Sequence, residues 1–471
     1  MQPNPYKNRS IFAFLLFSAW LISFPYEGKV LYALLDRAGA AGEAWVISAI
    51  AAHLLGLLTC MTLVRSMKGA RRMLLLADGI CLIGTLLCFS PSAALLKSVL
   101  LVISFFAGFF MSAWGWFFRA YTPSGSRMDT AAKALAASSA IMIAVNLCVG
   151  YLPFWISLGL CSLLLVGVLL FVAKIDPITI PCMPTSATHS EPISYYKPFF
   201  TLCLFIFVIT INSGLMFQVV SPAFGNLGLV SDLYWAVPYI AAILLIRRYA
   251  KKVNQAYVLY LAIAMIGFSF IAFAALGRSI WNYLFVNTLL LGACGVYDLF
   301  WWSMLGELLD FDKNPARLLG LGLGANVAGV LAGKLIGMFP AFSSSEIAPA
   351  LIGLTVVCLA LVLLPPLHRQ LSRTLQNNTF LVSLATLPPQ QQKAAVSRVG
   401  NIAGLSEREN EIAVLLIKGY PYKLIATRLY ISESTVKTHV QSIYNKLCIH
   451  NRTELIERFS SDEAQDGSKP G

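Results

Sequence analysis

One short segment near the end of the chain groups polar side chains that could bind a charged partner. Residues 432–447 read SESTVKTHVQSIYNKL. The apolar residues of this segment recur at the spacing of one helical stripe, and they are Val436, Val440, Ile443 and Leu447. The polar residues opposite that stripe are Ser434, Lys437, Thr438 and Gln441. The pattern predicts an amphipathic helix that buries one face and offers the other face to an anionic partner.

Three further short helices are predicted around this segment. Ser406 and Glu409 have the S-x-x-E spacing of a capping box, which predicts the start of a helix. A second helix is expected over 422–429 and a last one over 452–459. A short helix, a tight turn and a helix with a basic outer face form the helix-turn-helix that enters the major groove of DNA. The alternative is a small solvated module without a DNA role, because residues 401–460 hold eight Lys and Arg against six Asp and Glu.

A resemblance to a known family decides between these two interpretations. Residues 405–457 read LSERENEIAVLLIKGYPYKLIATRLYISESTVKTHVQSIYNKLCIHNRTELIE, which contains IA-x-x-L-x-I-S-x-x-TVK-x-H. This segment is very similar to the LuxR-type DNA-binding domain of transcription regulators. The resemblance implies that the partner is double-stranded promoter DNA and that 432–447 is the recognition helix. It implies that base edges are contacted by Lys437, Thr438 and Gln441. It places near phosphates the residues Lys423, Ser434, Thr435 and Lys446. It implies that the last helix forms the homodimer on DNA, with Arg452, Leu455, Ile456 and Phe459.

The rest of the chain has the composition of a polytopic membrane protein. Hydrophobic residues make up 58% of the chain and charged residues only 12%, against about 25% charged residues in soluble domains. Apolar runs long enough to span a bilayer are found at 10–28, 43–64, 73–90, 94–118, 134–153, 154–173, 199–220, 229–246, 257–276, 280–304, 318–339 and 348–366. The sequence therefore predicts an all-α fold, in which a membrane bundle of twelve helices (six and six) precedes a small four-helix domain.

Composition also predicts the domain boundaries. The membrane domain is expected over 1–366, and the six-and-six division falls at the polar stretch 174–198. Residues 367–400 contain QNN and PPQQQ and are typical of a flexible cytoplasmic linker. The DNA-binding domain is expected over 401–460, and a disordered tail over 461–471.

The distribution of basic residues predicts the orientation in the membrane. With twelve spans, seventeen Lys and Arg fall in the loops on one side and four in the loops on the other. Because basic loops stay in the cytoplasm, both termini are expected to be cytoplasmic, and the protein to lie in the inner (cytoplasmic) membrane of a bacterium.

The twelve-helix arrangement resembles the major facilitator superfamily. That family carries roughly G-x-x-x-D-R-x-G-R-R after its second helix. Here RSMKGARRM keeps Gly69, Arg71 and Arg72 but lacks the Asp. In transporters of the family this motif governs the conformational cycle, so its decay favours a membrane sensor that regulates transcription. The alternative is an active secondary transporter whose DNA-binding tail regulates its own gene.

A small-molecule ligand is expected near the bilayer midplane, between the two halves. The polar residues near that depth are His53, Asn146, Asn212, Asn287, Asn326 and Lys334. Asp298 is expected to lie about 18 Å from Lys334 in depth, at 1.5 Å per residue, which leaves the lysine unpaired. An unpaired lysine in lipid is a functional candidate, so an outward-facing cavity is predicted in which Lys334 meets an anionic or hydrogen-bonding ligand. The alternative is that the amides bridge helices and Lys334 reaches the outer interface.

Metal, cofactor and enzymatic chemistry find little support in the sequence. The ten cysteines include no C-x-x-C pair, and none of the five histidines lies at ligand or triad spacing from Cys or carboxylates. GLGLGANVAG at 320–329 contains a G-x-G pattern, but it lies inside an apolar helix rather than between a strand and a helix. Its glycines continue at G-x-x-x-G spacing to Gly337, which predicts close packing of two membrane helices.

Overall fold

The computed structural model describes residues 5–39, 42–90, 92–177, 195–249, 255–339, 347–386 and 389–466. All regular structure in these residues is helical, which confirms the predicted all-α class. By its contacts the chain divides into two compact units. The membrane unit comprises Met1–Ile178 and Phe199–Leu367, and the tail unit includes the residues from His368 onward.

Fourteen helices are found in the described residues from Pro5 to Thr386, and the last of them continues from the membrane unit into the tail unit. They are α1 (Pro5–Ser23), α2 (Lys29–Arg37), α3 (Glu43–Leu63), α4 (Met67–Leu87), α5 (Ala93–Tyr121), α6 (Arg127–Tyr151), α7 (Phe154–Ala173), α8 (Tyr196–Leu215), α9 (Leu229–Tyr234), α10 (Val237–Tyr249), α11 (Gln255–Ala275), α12 (Ile280–Leu308), α13 (Pro315–Gly337) and α14 (Ile347–Thr386). A π-helical turn, Met216–Val220, and a 3-10 turn, Pro222–Leu227, follow α8.

Nine of these helical segments are long and apolar enough to cross a membrane, counted over the described part of the chain. They are Glu43–Leu63, Ala93–Tyr121, Arg127–Tyr151, Phe154–Ala173, Tyr196–Val220, Tyr257–Ala275, Ile280–Leu308, Pro315–Gly337 and Ile347–Asn377. The other three predicted spans coincide with α1, α4 and α10, which are shorter or more polar. A multi-pass membrane protein is confirmed, and the count of twelve stays a prediction.

Glycines let the membrane helices approach one another closely, as their spacing predicts. A side chain at Gly333 would collide with the carbonyl of Ile211, and one at Gly329 with the carbonyl of Phe207, both in α8. Because glycine has no Cβ, α13 and α8 pack backbone against backbone here.

The segment expected to be a flexible linker is helical instead. Helix α14 continues past Pro365 and Pro366 to Thr386, and α15 covers Pro389–Ile402. The physical reason is that apolar side chains in this segment find a core. Phe380, Leu384 and Val396 are buried in one cluster with the apolar residues of the predicted DNA-binding domain, and tertiary burial stabilises helices of modest propensity.

Four helices complete the tail unit and agree with the predicted four-helix domain. They are α16 (Glu407–Ile417), α17 (Tyr422–Leu429), α18 (Glu433–Leu447) and α19 (Arg452–Asp466). The last helix reaches Asp466, so residues 461–466 are helical where disorder was expected. Residues 467–471 lie outside the described residues.

Candidate nucleic-acid interface and membrane cavity

Local hydrogen bonds set where the helices of the tail unit begin. Both bonds of the predicted capping box are present, since Glu409 N donates to Ser406 Oγ (3.3 Å) and Ser406 N donates to Glu409 Oε2 (2.7 Å). Ser432 caps α18 by accepting from Thr435 N (3.0 Å). Between α17 and α18, Tyr430 has a φ of 55°, in the left-handed region. This conformation makes the tight turn of the helix-turn-helix.

Helix α18 has the two faces that its sequence predicts. Val436 and Ile443 are fully buried, and Val440 and Leu447 are nearly so. The three residues expected at base edges, Lys437, Thr438 and Gln441, are exposed.

In the described residues, the polar contacts found for the base-edge side chains are with other residues of α18. Lys437 Nζ lies 3.6 Å from Glu433 Oε1, and both side chains are at least half exposed. Gln441 Nε2 donates to Asn445 Oδ1 (3.2 Å). Exposed contacts of this kind contribute little free energy. Lys437 and Gln441 can therefore replace them with contacts to a partner at a small cost in free energy.

The residues expected near phosphates divide into two groups. Lys423 is exposed at the start of α17, and Ser434 and Thr435 are exposed at the start of α18. Lys446 instead contacts its own domain, where its Nζ lies 2.7 Å from Glu409 Oε2 and donates to the Gly404 carbonyl (3.2 Å). The structure therefore gives Lys446 an internal role, tying α18 to the start of α16.

Glu409 is the acidic centre of this internal contact. Its burial by itself raises its pKa, but hydrogen bonds from Lys446, Ser442 and the Ser406 backbone outweigh that effect. Together they lower the pKa of Glu409 from 4.5 to about 2.

The residues expected to form a dimer mostly belong to the core of their own domain. Leu455, Ile456 and Phe459 are each 3% exposed or less. Arg452 donates to the Ile417 carbonyl at the end of α16 (3.3 Å). The prediction that these apolar side chains pair two copies needs correction, because they are already buried within a single chain.

The membrane unit contains a cavity of about 230 Å³. Two of the predicted pocket residues, His53 and Asn326, line it. Asp298 also lines it and accepts hydrogen bonds from Tyr239 Oη (3.0 Å) and Trp301 Nε1 (2.9 Å).

The other predicted pocket residues lie away from the cavity lining. Asn287 of α12 donates to the carbonyl of Tyr234 at the end of α9 (3.4 Å) and to that of Trp235 just after it (3.3 Å), and so bridges two helices. Asn212 is buried, and no partner is found among the described residues for either end of its amide. The side-chain oxygen of Asn146 likewise has no partner found among the described residues.

Lys334 is paired, so the expectation of an unpaired lysine is wrong. Its Nζ lies 2.6 Å from Glu27 Oε1 and 3.2 Å from Glu43 Oε2, and the lysine side chain is fully buried. No pattern along the chain predicts this pairing, because the partners lie in the connection after α1 and at the start of α3. Lys334 pairs with Glu27 and Glu43, and Asp298 bonds to Tyr239 and Trp301; the depth difference of about 18 Å between them stays a prediction.

A second ionic cluster lies beside the other end of α13. Arg127 Nη2 lies 2.8 Å from Asp310 Oδ1, and Arg127 Nη1 donates to the Gly306 carbonyl (2.6 Å). Asp310 belongs to the connection that leads into α13 at Pro315. Lys334 lies nineteen residues beyond Pro315, which is about 28 Å at 1.5 Å per residue. The α13 residues that line the cavity lie between the two clusters.

Comparison with known proteins identifies the tail. Residues 403–459 match the family described as "Bacterial regulatory proteins, luxR family". These residues form a LuxR-type helix-turn-helix domain. Over 61 residues the chain is 46% identical to the "Monoamine regulon transcriptional regulator" of Klebsiella aerogenes, which covers 13% of this chain and 27% of that protein. Over 52 residues it is 46% identical to the "Response regulator protein VraR" of Staphylococcus aureus, covering 11% of this chain and 25% of that protein. The chain thus spans about a quarter of the length of these curated relatives.

Solved structures show the fold of the membrane unit. The human organic anion transporter MFSD10 matches with a TM-score of 0.58 and 15% identity, covering 77% of this chain and all of that one. The major facilitator superfamily proton:xylose symporter XylE matches with a TM-score of 0.56 and 12% identity, covering 76% and 95%. A bacterial homologue of the iron transporter ferroportin matches with a TM-score of 0.57 and 13% identity, covering 78% and 100%. The membrane unit therefore has a fold like that of the major facilitator superfamily.

Proposed function

We propose that the protein is a membrane-embedded one-component transcription regulator. It senses a small molecule through the membrane unit and binds promoter DNA with its LuxR-type domain. The observation that carries the proposal is the polar, exposed face of α18, which belongs to a DNA-binding domain on the same chain as a cavity-bearing membrane unit.

Recognition of DNA follows from the chemistry of the exposed face. Lys437 and Gln441 carry long side chains that can hydrogen-bond to base edges in the major groove, and an amide suits adenine. Lys423, Ser434 and Thr435 would hold phosphates and fix the position of α18. A single helix-turn-helix reads few base pairs, so the proposed DNA-bound form is a homodimer on paired half-sites.

The DNA must be reachable from the membrane. The proposal places the protein in the inner membrane with both termini in the cytoplasm, as the seventeen basic residues on one side indicate. A fluorescent-protein fusion after residue 471 should fluoresce, and an alkaline phosphatase fusion at the same position should be inactive. The opposite pattern would exclude contact with chromosomal DNA.

Signalling requires that the ligand bind one state of the membrane unit better than another. The two ionic clusters beside the ends of α13 join residues from both halves of the unit. We propose that ligand binding between them changes which cluster is intact. The change would reach the DNA-binding domain through α14, since Phe380 and Leu384 of that helix are buried with the domain's core.

Genome-wide DNA footprinting of the intact protein tests this function. The wild type should occupy a small set of promoters, and Lys437→Ala should lose preference at one base position. Arg373→Ala is the matched control, because Arg373 is an exposed basic residue of α14 outside residues 403–459. Equal footprints for wild type and Lys437→Ala would reject the proposed reading face, and no promoter occupancy would reject the regulator.

The second candidate function is active transport with an autoregulatory tail, which the transporter-like fold favours. Uptake of labelled solutes into vesicles, measured with the full chain and with a chain lacking 401–471, separates the two. Concentrative uptake by both forms would support the transporter.

A further inference from the structure

Asp298 presents a carboxylate to the membrane cavity without a basic partner. It lies on α12 and is partly exposed. Its two described hydrogen-bond donors, Tyr239 Oη and Trp301 Nε1, are both neutral. None of the ion pairs found in the described residues includes Asp298. Two neutral donors orient the carboxylate, and they leave its negative charge without a counter-ion.

The other described residues of the cavity wall offer this carboxylate hydrogen-bonding groups rather than a lysine or an arginine. The described residues that line it include no Lys or Arg. His53 lines the cavity, and its Nδ1 lies 3.2 Å from the Ser104 carbonyl. That contact places the ring hydrogen on Nδ1, so Nε2 of the neutral imidazole is an acceptor. The hydroxyls of Ser138 and Ser213 add groups that can donate or accept.

Lys334 cannot serve as the missing cation. It is already paired with Glu27 and Glu43 and does not line the cavity. The lysine and Asp298 thus belong to separate ionic environments of the membrane unit. An anionic ligand would meet Asp298 as a like charge with no basic group among the described lining residues to offset the repulsion.

Aromatic side chains form much of the remaining wall. Trp302 and Phe14 both line the cavity, with their ring centroids 5.4 Å apart in an edge-on arrangement. Tyr26 and Trp235 also line it. The faces of such rings attract cations, and their bodies bury apolar groups. The volume of about 230 Å³ is below the roughly 300–1,000 Å³ of sites for drug-sized ligands, which favours a small ligand.

We infer that the cavity binds a small organic cation, an ammonium group attached to an aromatic or apolar body. The ammonium pairs with Asp298 and the body lies among Trp302, Phe14 and Tyr26. Removing an ammonium from water costs several kcal/mol unless an anionic partner offsets it, and Asp298 is the carboxylate that the described lining provides. This inference deepens the proposed function by naming the ligand class, and it rests on that function only for the regulatory consequence of binding.

A matched series of three probes tests the inference on the purified full-length protein. The probes are 2-phenylethylamine (cation), 2-phenylethanol (neutral) and 3-phenylpropanoate (anion), with binding followed by calorimetry and by tryptophan fluorescence. The amine should bind about tenfold or more tightly than the alcohol, which corresponds to about 1.4 kcal/mol, and the acid should bind most weakly.

Two variants assign the preference to Asp298. Asp298→Asn should weaken amine binding about tenfold and leave alcohol binding within about threefold. Asp78→Asn is the matched control, because Asp78 is a buried carboxylate of α4 that does not line the cavity. It should bind the amine as the wild type does. Where Asp298→Asn fails to fold, Asp298→Glu replaces it and should retain the preference for the amine over the alcohol.

Several outcomes would overturn the inference. Equal affinities for the amine and the alcohol would do so, and a protonated Asp298 would give that result. So would the highest affinity for the acid, or an amine affinity that Asp298→Asn leaves unchanged. The last such outcome is that no probe binds at millimolar concentration. DNA footprinting separates this failure from failure of the proposed function. If the protein occupies promoters but does not bind the amine, only the proposed ligand class is rejected. If it binds the amine through Asp298 but occupies no promoter, only the proposed regulatory function is rejected.

Discussion

Ser460 of α19 donates a hydrogen bond of 2.9 Å to Asn377 of α14, 83 residues earlier in the chain. The bond joins the last helix of the LuxR-type domain to the segment that its composition marks as a linker. Apolar burial accompanies it, since Phe380, Leu384 and Val396 belong to the same buried cluster as Phe459. The folded regulatory unit therefore begins before residue 403, where the family match begins.

A fragment of residues 368–471 should therefore be more stable than one of residues 401–471. Burying a large apolar side chain contributes about 1.5–3 kcal/mol, so losing three such side chains removes several kcal/mol. Urea denaturation followed by circular dichroism measures the difference.

A single substitution makes the same comparison within one fragment. Leu384→Ala in the 368–471 fragment should cost about 2–5 kcal/mol. The exposed Gln391→Ala in α15 is its control and should change stability by less than about 0.5 kcal/mol. Equal stability of Leu384→Ala and wild type would show that α14 does not belong to the domain core in solution.

The Glu409–Lys446 contact should make the stability of the tail unit depend on pH. The pKa of Glu409 is about 2 in the folded chain and 4.5 ordinarily, so the unfolded chain binds the proton more readily. The contribution is fully present above pH 4.5 and is lost as the pH falls towards 2. Because Lys446 is 39% exposed, solvent screens the pair, and we expect about 1–2 kcal/mol.

Glu409→Gln measures this contribution by urea denaturation at pH 7 and at pH 3. The variant should be less stable than wild type at pH 7, and the difference should narrow at pH 3. Glu433→Gln is the matched control, since Glu433 pairs with Lys437 at 3.6 Å on the exposed face. A Glu409→Gln variant as stable as wild type at pH 7 contradicts the assigned role.

Lys423 and Lys446 should affect DNA binding differently, although both are basic. Lys423→Ala should weaken binding to all sequences alike and lower the log–log salt slope by about one. Lys446→Ala should lower the stability of the domain and change the slope by much less, because Lys446 is paired with Glu409. Fluorescence anisotropy on a labelled operator across salt concentrations measures both. A full unit of slope lost in Lys446→Ala, with stability unchanged, would mean that Lys446 exchanges Glu409 for a phosphate.

Removal of Lys334 should destabilise the membrane unit. Lys334→Met leaves Glu27, whose side chain is 3% exposed, as a buried charge without its nearest cation. Breaking a buried pair in this way costs about 3–5 kcal/mol, so the melting temperature in detergent should fall. Glu27→Gln added to Lys334→Met should recover part of the loss, and Lys68→Met, at an exposed lysine, should have little effect. Wild-type melting of Lys334→Met would show that the pair does not form.

The features that depend on near neighbours along the chain are predicted correctly from the sequence. The buried stripe from Val436 to Leu447 and the capping box of Ser406 and Glu409 follow from spacings of a few residues along one helix. The apolar spans follow from composition over about 20 residues. The close packing at Gly329 and Gly333 follows from a four-residue repeat on one helix face. Each of these signals is contained within a single element.

The contacts between distant elements depend on how the helices pack and are not predicted from the sequence. Lys334 meets Glu27 because α13 and the connection after α1 pack together, and no periodicity along the chain encodes that choice. Phe380 and Leu384 become core residues because apolar side chains of the other tail-unit helices bury them in one cluster, so a segment with linker composition folds as helix. Asp298 lines the membrane cavity, where its carboxylate accepts a hydrogen bond from Tyr239, 59 residues earlier in the chain. A pattern along one helix shows which face is buried, whereas the partner of that face depends on how all the helices fill space together.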